Sequence, residues 1–144
     1  MTRAFTVSAR SGASVDKVWE LLANAEAWPT WAPMMRSMRY ERDGAPTRDG
    51  VGAVRFFGVG PIGSREEVTA FVPPNRLAYC MVSGLPVRGY RSTVTVAETS
   101  DGGSTITWSS QWDAARPARF WHWYLRRLMQ RFARRLASRA EVVG

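Results

Sequence analysis

The sequence predicts an α+β chain: a curled antiparallel sheet of about seven strands wrapped on a long C-terminal helix, with two short helices after the first strand. Three observations carry this. Short stretches of alternating polarity follow one another closely between turn signals, which is the pattern of an antiparallel meander. One stretch of helical period interrupts them, directly after the first strand. A long amphipathic stretch closes the chain and needs a large surface to cover its apolar stripe.

Phe5, Val7 and Ala9 share one face of a half-buried strand from Arg3 to Arg10, which Ser11-Gly12 breaks. Ser14 is the N-cap of a helix reaching about Ala25, with Asp16 in its first turn and Val15, Val18, Trp19 and Leu22 at helical spacing. Trp28-Pro29 ends it, and the segment to Pro33 reads as a short helical turn between two prolines. Strands are expected over Met35–Asp43, Val51–Phe57, Arg65–Val72, Arg76–Val82, Arg88–Glu98 and Ser104–Trp112. The intervening Asp43-Gly44, Asp49-Gly50, Gly58 to Gly63, Pro73-Pro74, Gly84-Leu85-Pro86 and Asp101-Gly102-Gly103 read as turns. Neither Gly50-Val51-Gly52 nor Gly58-Val59-Gly60 has the spacing or the following helix of a phosphate loop. The last helix runs from about Pro117 to Arg139. With Leu125 at zero degrees, Trp121, Leu128, Met129, Phe132 and Leu136 fall within about 60° of it.

At 144 residues, 45% of them hydrophobic, the chain is expected to form a single globular domain over residues 1–144. Seven Trp and six Met supply large, adaptable apolar surface suited to a core or a ligand pocket. Cys80 is the lone cysteine, which excludes an intrachain disulfide and a cysteine metal cluster. His122 is the lone histidine, so a Ser-His-Asp triad would have to use it. No metal and no cofactor is expected. The N-terminal residues lack the apolar region of a secretory signal, no run of about 18 apolar residues occurs, and the expected location is the cytoplasm. The net charge is +8 and is concentrated: the segment from Ala115 onward holds eight arginines and one acid, Glu141.

Several local patterns occur in order along nearly the whole chain: Val18-Trp19-Glu20-Leu21-Leu22 with Trp28-Pro29-Thr30-Trp31-Ala32-Pro33; Gly50-Val51-Gly52-Ala53-Val54-Arg55; Arg65-Glu66-Glu67-Val68; Pro73-Pro74-Asn75-Arg76-Leu77-Ala78-Tyr79; and Gly103-Ser104-Thr105-Ile106-Thr107-Trp108. In this ordered set the chain resembles the START-like superfamily, also called the SRPBCC or Bet v 1-like group, and more narrowly its bacterial polyketide cyclase/dehydrase-like branch. The resemblance implies a helix-grip fold with a hydrophobic cavity between sheet and long helix, roofed by the first helices and nearby loops. Members of the group bind lipids, sterols, quinones, polyketides or plant hormones, and a minority catalyse cyclisation or dehydration. Fold alone does not choose among these.

Strand phase groups Glu66 with Val68, Ala70 and Val72; if that face is concave, a carboxylate points inward and could act as acid or base. The competing reading is a structural pair with an arginine such as Arg55, and a one-residue slip would turn Glu67 inward instead. His122 lies about 60° round the helix, at the edge of the stripe, where it could reach the cavity mouth or sit as a boundary residue without a task. Glu66, His122, Tyr79 and Tyr90 are therefore the candidate acid/base groups. The expected cavity wall comprises Trp31, Met35, Phe56, Glu66, Tyr79 and Met81 from the first half of the chain. Tyr90, Trp108, Trp112, Trp121, Leu125 and Met129 are expected from the second half. For each, plain core packing is the alternative. Trp123, at about 160°, and Phe120 fall on the solvent side among arginines, and Arg127, Arg131 and Arg134 form a basic surface.

The leading functional expectation is binding of a hydrophobic small molecule, lipid, quinone or polyketide-like, between sheet and helix. A cyclase, aromatase or dehydrase using cavity acid/base residues is the first alternative. The second is interaction of the Arg-rich helix with an anionic membrane surface or, less favoured, a nucleic acid. The sequence leaves oligomeric state open.

Overall fold

The computed structural model describes residues 2–59 and 61–143; Gly60, within the expected Gly58 to Gly63 turn, lies outside them, as do Met1 and Gly144. The elements run β1 (Arg3–Ser11), α1 (Val15–Ala23), a 3-10 helix (Ala25–Thr30), β2 (Ser37–Arg42), β3 (Val54–Val59) and β4 (Ile62–Val72). Then follow β5 (Arg76–Ser83), β6 (Val87–Arg88), β7 (Arg91–Glu98), β8 (Ser104–Trp112), β9 (Ala114–Ala115) and α2 (Ala118–Val143). Seven strands form one antiparallel sheet in the order β1-β8-β7-β5-β4-β3-β2, and β6 pairs with β9 in a separate small ribbon. This is the expected α+β, helix-grip arrangement.

The first strand runs beside β8 from Arg3↔Trp112 to Ser11↔Ser104, and Phe5 and Val7 point into the core as their alternation requires. The Ser14 hydroxyl caps α1 by accepting from the Lys17 amide, and Val18, Trp19 and Leu22 bury the inner face. The last helix is tied to the β1 side of the sheet. Ser11 Oγ donates to the Ala137 carbonyl at 2.8 Å, and Gln130 Nε2 donates to the Ser8 carbonyl at 2.8 Å. The Gly12 amide donates to Glu141 Oε2 at 2.6 Å. Leu125, Met129, Phe132 and Leu136 turn inward. With α2 anchored on β1, its first half stands off from β3, β4 and β5.

Three local expectations change. The run expected from Arg88 to Glu98 is two strands, because Gly89 takes φ +72° and turns the chain between β6 and β7. The alternation of Glu66, Val68, Ala70 and Val72 does not persist. A bulge between Val68 and Ala70 inverts the phase, so Phe71 packs on Trp19 at 5.4 Å while Val72 is exposed. Strand β3 runs on to Val59 and β4 starts at Ile62, so the hairpin between them is tighter than a Gly58 to Gly63 connection.

Candidate functional site

The space under the first half of α2 is divided between a plug and a hole. Trp28, from the 3-10 helix, is wholly buried and donates from Nε1 to the Leu22 carbonyl at 2.8 Å. Its ring stacks on Phe57 at 4.9 Å and lies 5.0 Å from Trp31, 6.2 Å from Trp108 and 6.3 Å from Phe132. This aromatic cluster fills one end of the groove. Beside it a cavity of about 280 Å³ remains open. Its walls are the Pro33–Met35 loop, the β3–β4 hairpin, the Gly84-Leu85 turn, and Tyr124, Leu125, Leu128, Met129 and Phe132 of α2. The roof is thus the loop after the 3-10 helix, and α1 takes no part in it.

Of the side chains expected in the wall, the cavity brings together Met35, Glu66, Tyr79, Met81, Tyr90, Leu125 and Met129. The others go elsewhere. Trp31 and Trp108 belong to the plug. Trp112 packs against Phe5 at 5.8 Å and His122 at 5.7 Å, beyond the cavity. Trp121 is half-buried and donates to the Arg116 carbonyl at 3.2 Å. Phe56 faces the opposite side of the sheet, where the Arg39 and Arg65 guanidinium groups lie 4.1 and 5.4 Å from its ring centre. Its place in the cavity is taken by Phe57, because β3 sits one residue out of the assumed phase. Phe57, Tyr124, Leu128 and Leu85 are wall residues that sequence reasoning missed. Leu128 was legible as part of the apolar stripe; Leu85 was hidden in a turn.

His122 does not reach the cavity mouth. Its ring is held between Phe5 and Trp112, and Nδ1 is buried without a hydrogen-bond partner. Glu67 faces outward and pairs with Arg42 at 3.2 Å.

The floor of the cavity is polar. Glu66 is buried, lines the cavity and accepts from Arg55 Nη2 at 3.4 Å. Arg55 is fully buried and 5.1 Å from the ring centres of both Trp28 and Phe57. Those rings offset part of the charge's lost hydration, while Arg55 Nε and Nη1 have no hydrogen-bond partner. Burial pushes the Glu66 carboxyl above its ordinary range, and Arg55 pulls the other way. Tyr79 OH accepts from Trp108 Nε1 at 3.2 Å. Burial and then the Glu66 charge hold its phenol well above the usual tyrosine range. Tyr90 OH is 3.0 Å from Ser110 Oγ, which is 2.7 Å from Ser92 Oγ, and burial pushes the Tyr90 phenol up to about 12. Glu66, Tyr79 and Tyr90 therefore line one side of a space whose other walls, Ser64 and Tyr124 apart, are apolar. Arg127, Arg131 and Arg134 are exposed, and none of the ion pairs among the described residues includes them. Among the described residues no three His, Cys, Asp or Glu side chains converge as a metal-ligand set. No described helix is long and apolar enough to cross a membrane.

A family model described as polyketide cyclase / dehydrase and lipid transport matches residues 2–141. The chain belongs to this family. Solved structures carry the same architecture at low identity, so the likeness to them is one of fold. The protein XoxI from Bacillus cereus superposes on this family member with a TM-score of 0.78 at 19% identity, covering 94% of this chain and 93% of that one. Ara h 8.0201 superposes at 0.76 and 16% identity, covering 97% and 98%. A protein from Nitrosospira multiformis superposes at 0.70 and 20% identity, covering 91% and 94%. No curated protein sequence matches the chain.

Proposed function

We propose that this polyketide cyclase/dehydrase and lipid transport family member binds a small apolar molecule under the first half of α2, with one polar group of the ligand at the cavity floor. The observation that carries this is the cavity itself: about 280 Å³ walled by aliphatic and aromatic side chains around a single carboxyl group. That volume lies near the lower end of small-molecule sites, which run from roughly 300 to 1,000 Å³. The floor favours a particular ligand chemistry. A buried carboxyl group beside two phenols suits a ligand hydroxyl, which both donates and accepts. It disfavours a fatty-acid carboxylate, which would lose its hydration there with no Arg or Lys among the described wall residues to pair with it. Family membership and fold agree with hydrophobic-ligand binding in general; the hydroxyl-bearing ligand rests on Glu66, Tyr79 and Tyr90.

A second reading, an acid/base enzyme of cyclase or dehydrase type, rests on the same carboxyl group, which lines the cavity and whose pKa burial raises above the ordinary carboxylate range. The two readings separate on Glu66→Gln: under the first it changes which ligands bind, and under the second it abolishes turnover while binding persists.

The test is native mass spectrometry of the purified chain with organic extraction of whatever is retained. It is followed by titration with a long-chain alcohol or alkylphenol and with the fatty acid of equal length. The expected result is binding of the hydroxyl compound in preference to the acid, and loss of both in Leu128→Trp, which fills the space. A folded chain that retains nothing and ignores both compounds overturns the proposal.

A further inference from the structure

The cavity opens through a surface that is itself apolar. Among its wall residues Met34 is 66% exposed, Val59 51% and Ile62 79%. These side chains mark its mouth. Met34 holds a left-handed backbone at φ +66°, a conformation that costs a non-glycine residue about 1–2 kcal/mol, and here its sulfur meets the Tyr124 hydroxyl at 3.7 Å. The patch continues along α2 without a break. Tyr124 stacks on Phe120 at 5.8 Å, and Phe120 lies 6.3 Å from Trp123. Phe120 is 46% exposed and Trp123 56%. A rim of contiguous exposed aliphatic and aromatic groups is what a monomeric surface normally avoids.

The charge around this rim has one sign. Acids are absent from the sequence over residues 27–40, 56–65, 81–90 and 114–140, which supply every segment bordering the mouth. Arginines are not absent. The Arg127 guanidinium lies 5.4 Å from the Trp123 ring centre, and Arg131 and Arg134 are exposed on the following turns. We infer that the rim formed by Met34, Val59, Ile62, Phe120 and Trp123, with Arg127 and Arg131 beside it, docks on an anionic lipid bilayer so that the cavity opens into the membrane. Apolar tips enter the interfacial layer while arginines meet lipid phosphates, each adding to the attraction as long as the salt is low. A second copy of this chain is a poor occupant, because both copies would bring a net +8 and the same acid-free face. A nucleic acid would use the arginines and Trp123 but leaves the aliphatic tips Val59 and Ile62 without a partner. The inference stands on exposure and charge, whether or not the cavity holds a ligand.

The experiment is co-sedimentation of the full chain with phosphatidylcholine vesicles with and without phosphatidylglycerol, across a salt series, beside a duplex-DNA binding assay. The wild type is expected to pellet with the anionic vesicles and to leave them as salt rises. Trp123→Glu and Ile62→Asp, on two different elements, should each lower partitioning by about tenfold, and Arg127→Ala by about fivefold. Circular dichroism melts confirm that the variants remain folded, as expected for exposed positions. Wild type that stays in the supernatant with anionic vesicles overturns the inference. So does undiminished vesicle binding by both Trp123→Glu and Ile62→Asp, which would mean that charge alone acts. Tighter binding to duplex DNA than to anionic vesicles, unchanged in Ile62→Asp, assigns the face to nucleic acid and overturns it as well.

Discussion

Arg55 and Glu66 are neighbours across the β3–β4 ladder and share the interior with aromatic rings. Removing one partner of such a pair leaves the other charge buried and uncompensated, which costs about 3–5 kcal/mol. Arg55→Met is therefore expected to lower stability in urea melts by about that amount, and adding Glu66→Gln to recover a large part of it. The double variant has no stranded charge. Glu66 also carries a pH signature. Its carboxyl is held above the ordinary carboxylate range in the folded chain, by burial first. In the unfolded chain it ionises at about pH 4.3. Folding therefore favours the protonated form. The contribution of this site is whole below the unfolded pKa and is lost as pH rises through the raised folded value. Wild type should lose stability relative to Glu66→Gln across that rise, measured as paired melts from acid to neutral pH. A constant difference between the two would contradict a raised Glu66 pKa. The pairing of Glu66 with Arg55 was legible as an alternative in the sequence. The inward turn of Phe57 in place of Phe56 was not, because Val54-Arg55-Phe56-Phe57 offers a large apolar group to either face.

At the scale of elements, the places where local pattern and fold part company have backbone causes. Alternation through Tyr90, Ser92, Val94 and Val96 reads as one strand, and β7 keeps that phase. The strand still breaks, because Gly89 adopts φ +72°, at a place where a Cβ would collide with the Asp113 carboxylate. Gly89→Ala is expected to cost about 1–2 kcal/mol in equilibrium unfolding for the left-handed backbone alone. An unchanged unfolding midpoint would show that the turn relaxes freely. The bulge between Val68 and Ala70 similarly inverts the outer end of β4, which is why Phe71 reaches Trp19. Helix α2 was the most legible element, since a stripe repeated over about four turns leaves little freedom in which side faces inward. What the wheel could not show is that the helix is tied down on β1 by Ser11, Gln130 and Glu141. That anchoring leaves the opposite half of the groove open.

For the whole molecule, a cavity under a packed helix links ligand binding to stability. A ligand at one hundred times its dissociation constant stabilises the folded state by about 2.7 kcal/mol. A bound long-chain alcohol should therefore raise the melting temperature of the wild type by several degrees and leave Leu128→Trp unmoved. Equal shifts in both would place the binding outside the cavity. The tryptophans divide by the same logic. Trp28, Trp31 and Trp108 consolidate one end of the groove, while the methionines Met35, Met81 and Met129 remain on the wall of the other.

The sequence by itself determined the element order, the antiparallel sheet, the inner stripe of α2 and the concentration of positive charge at the C-terminal end. Each of these is a local or additive property: a period, a turn residue, a sum of charges. Tertiary structure alone decided which aromatic side chains fill the groove and which leave it open. It also decided that Arg55 and Glu66 meet, and that the exposed Met34, Val59 and Ile62 border one cavity. Those outcomes depend on how four chain segments distant in sequence pack in three dimensions, and close packing of unequal side chains is not additive along the chain.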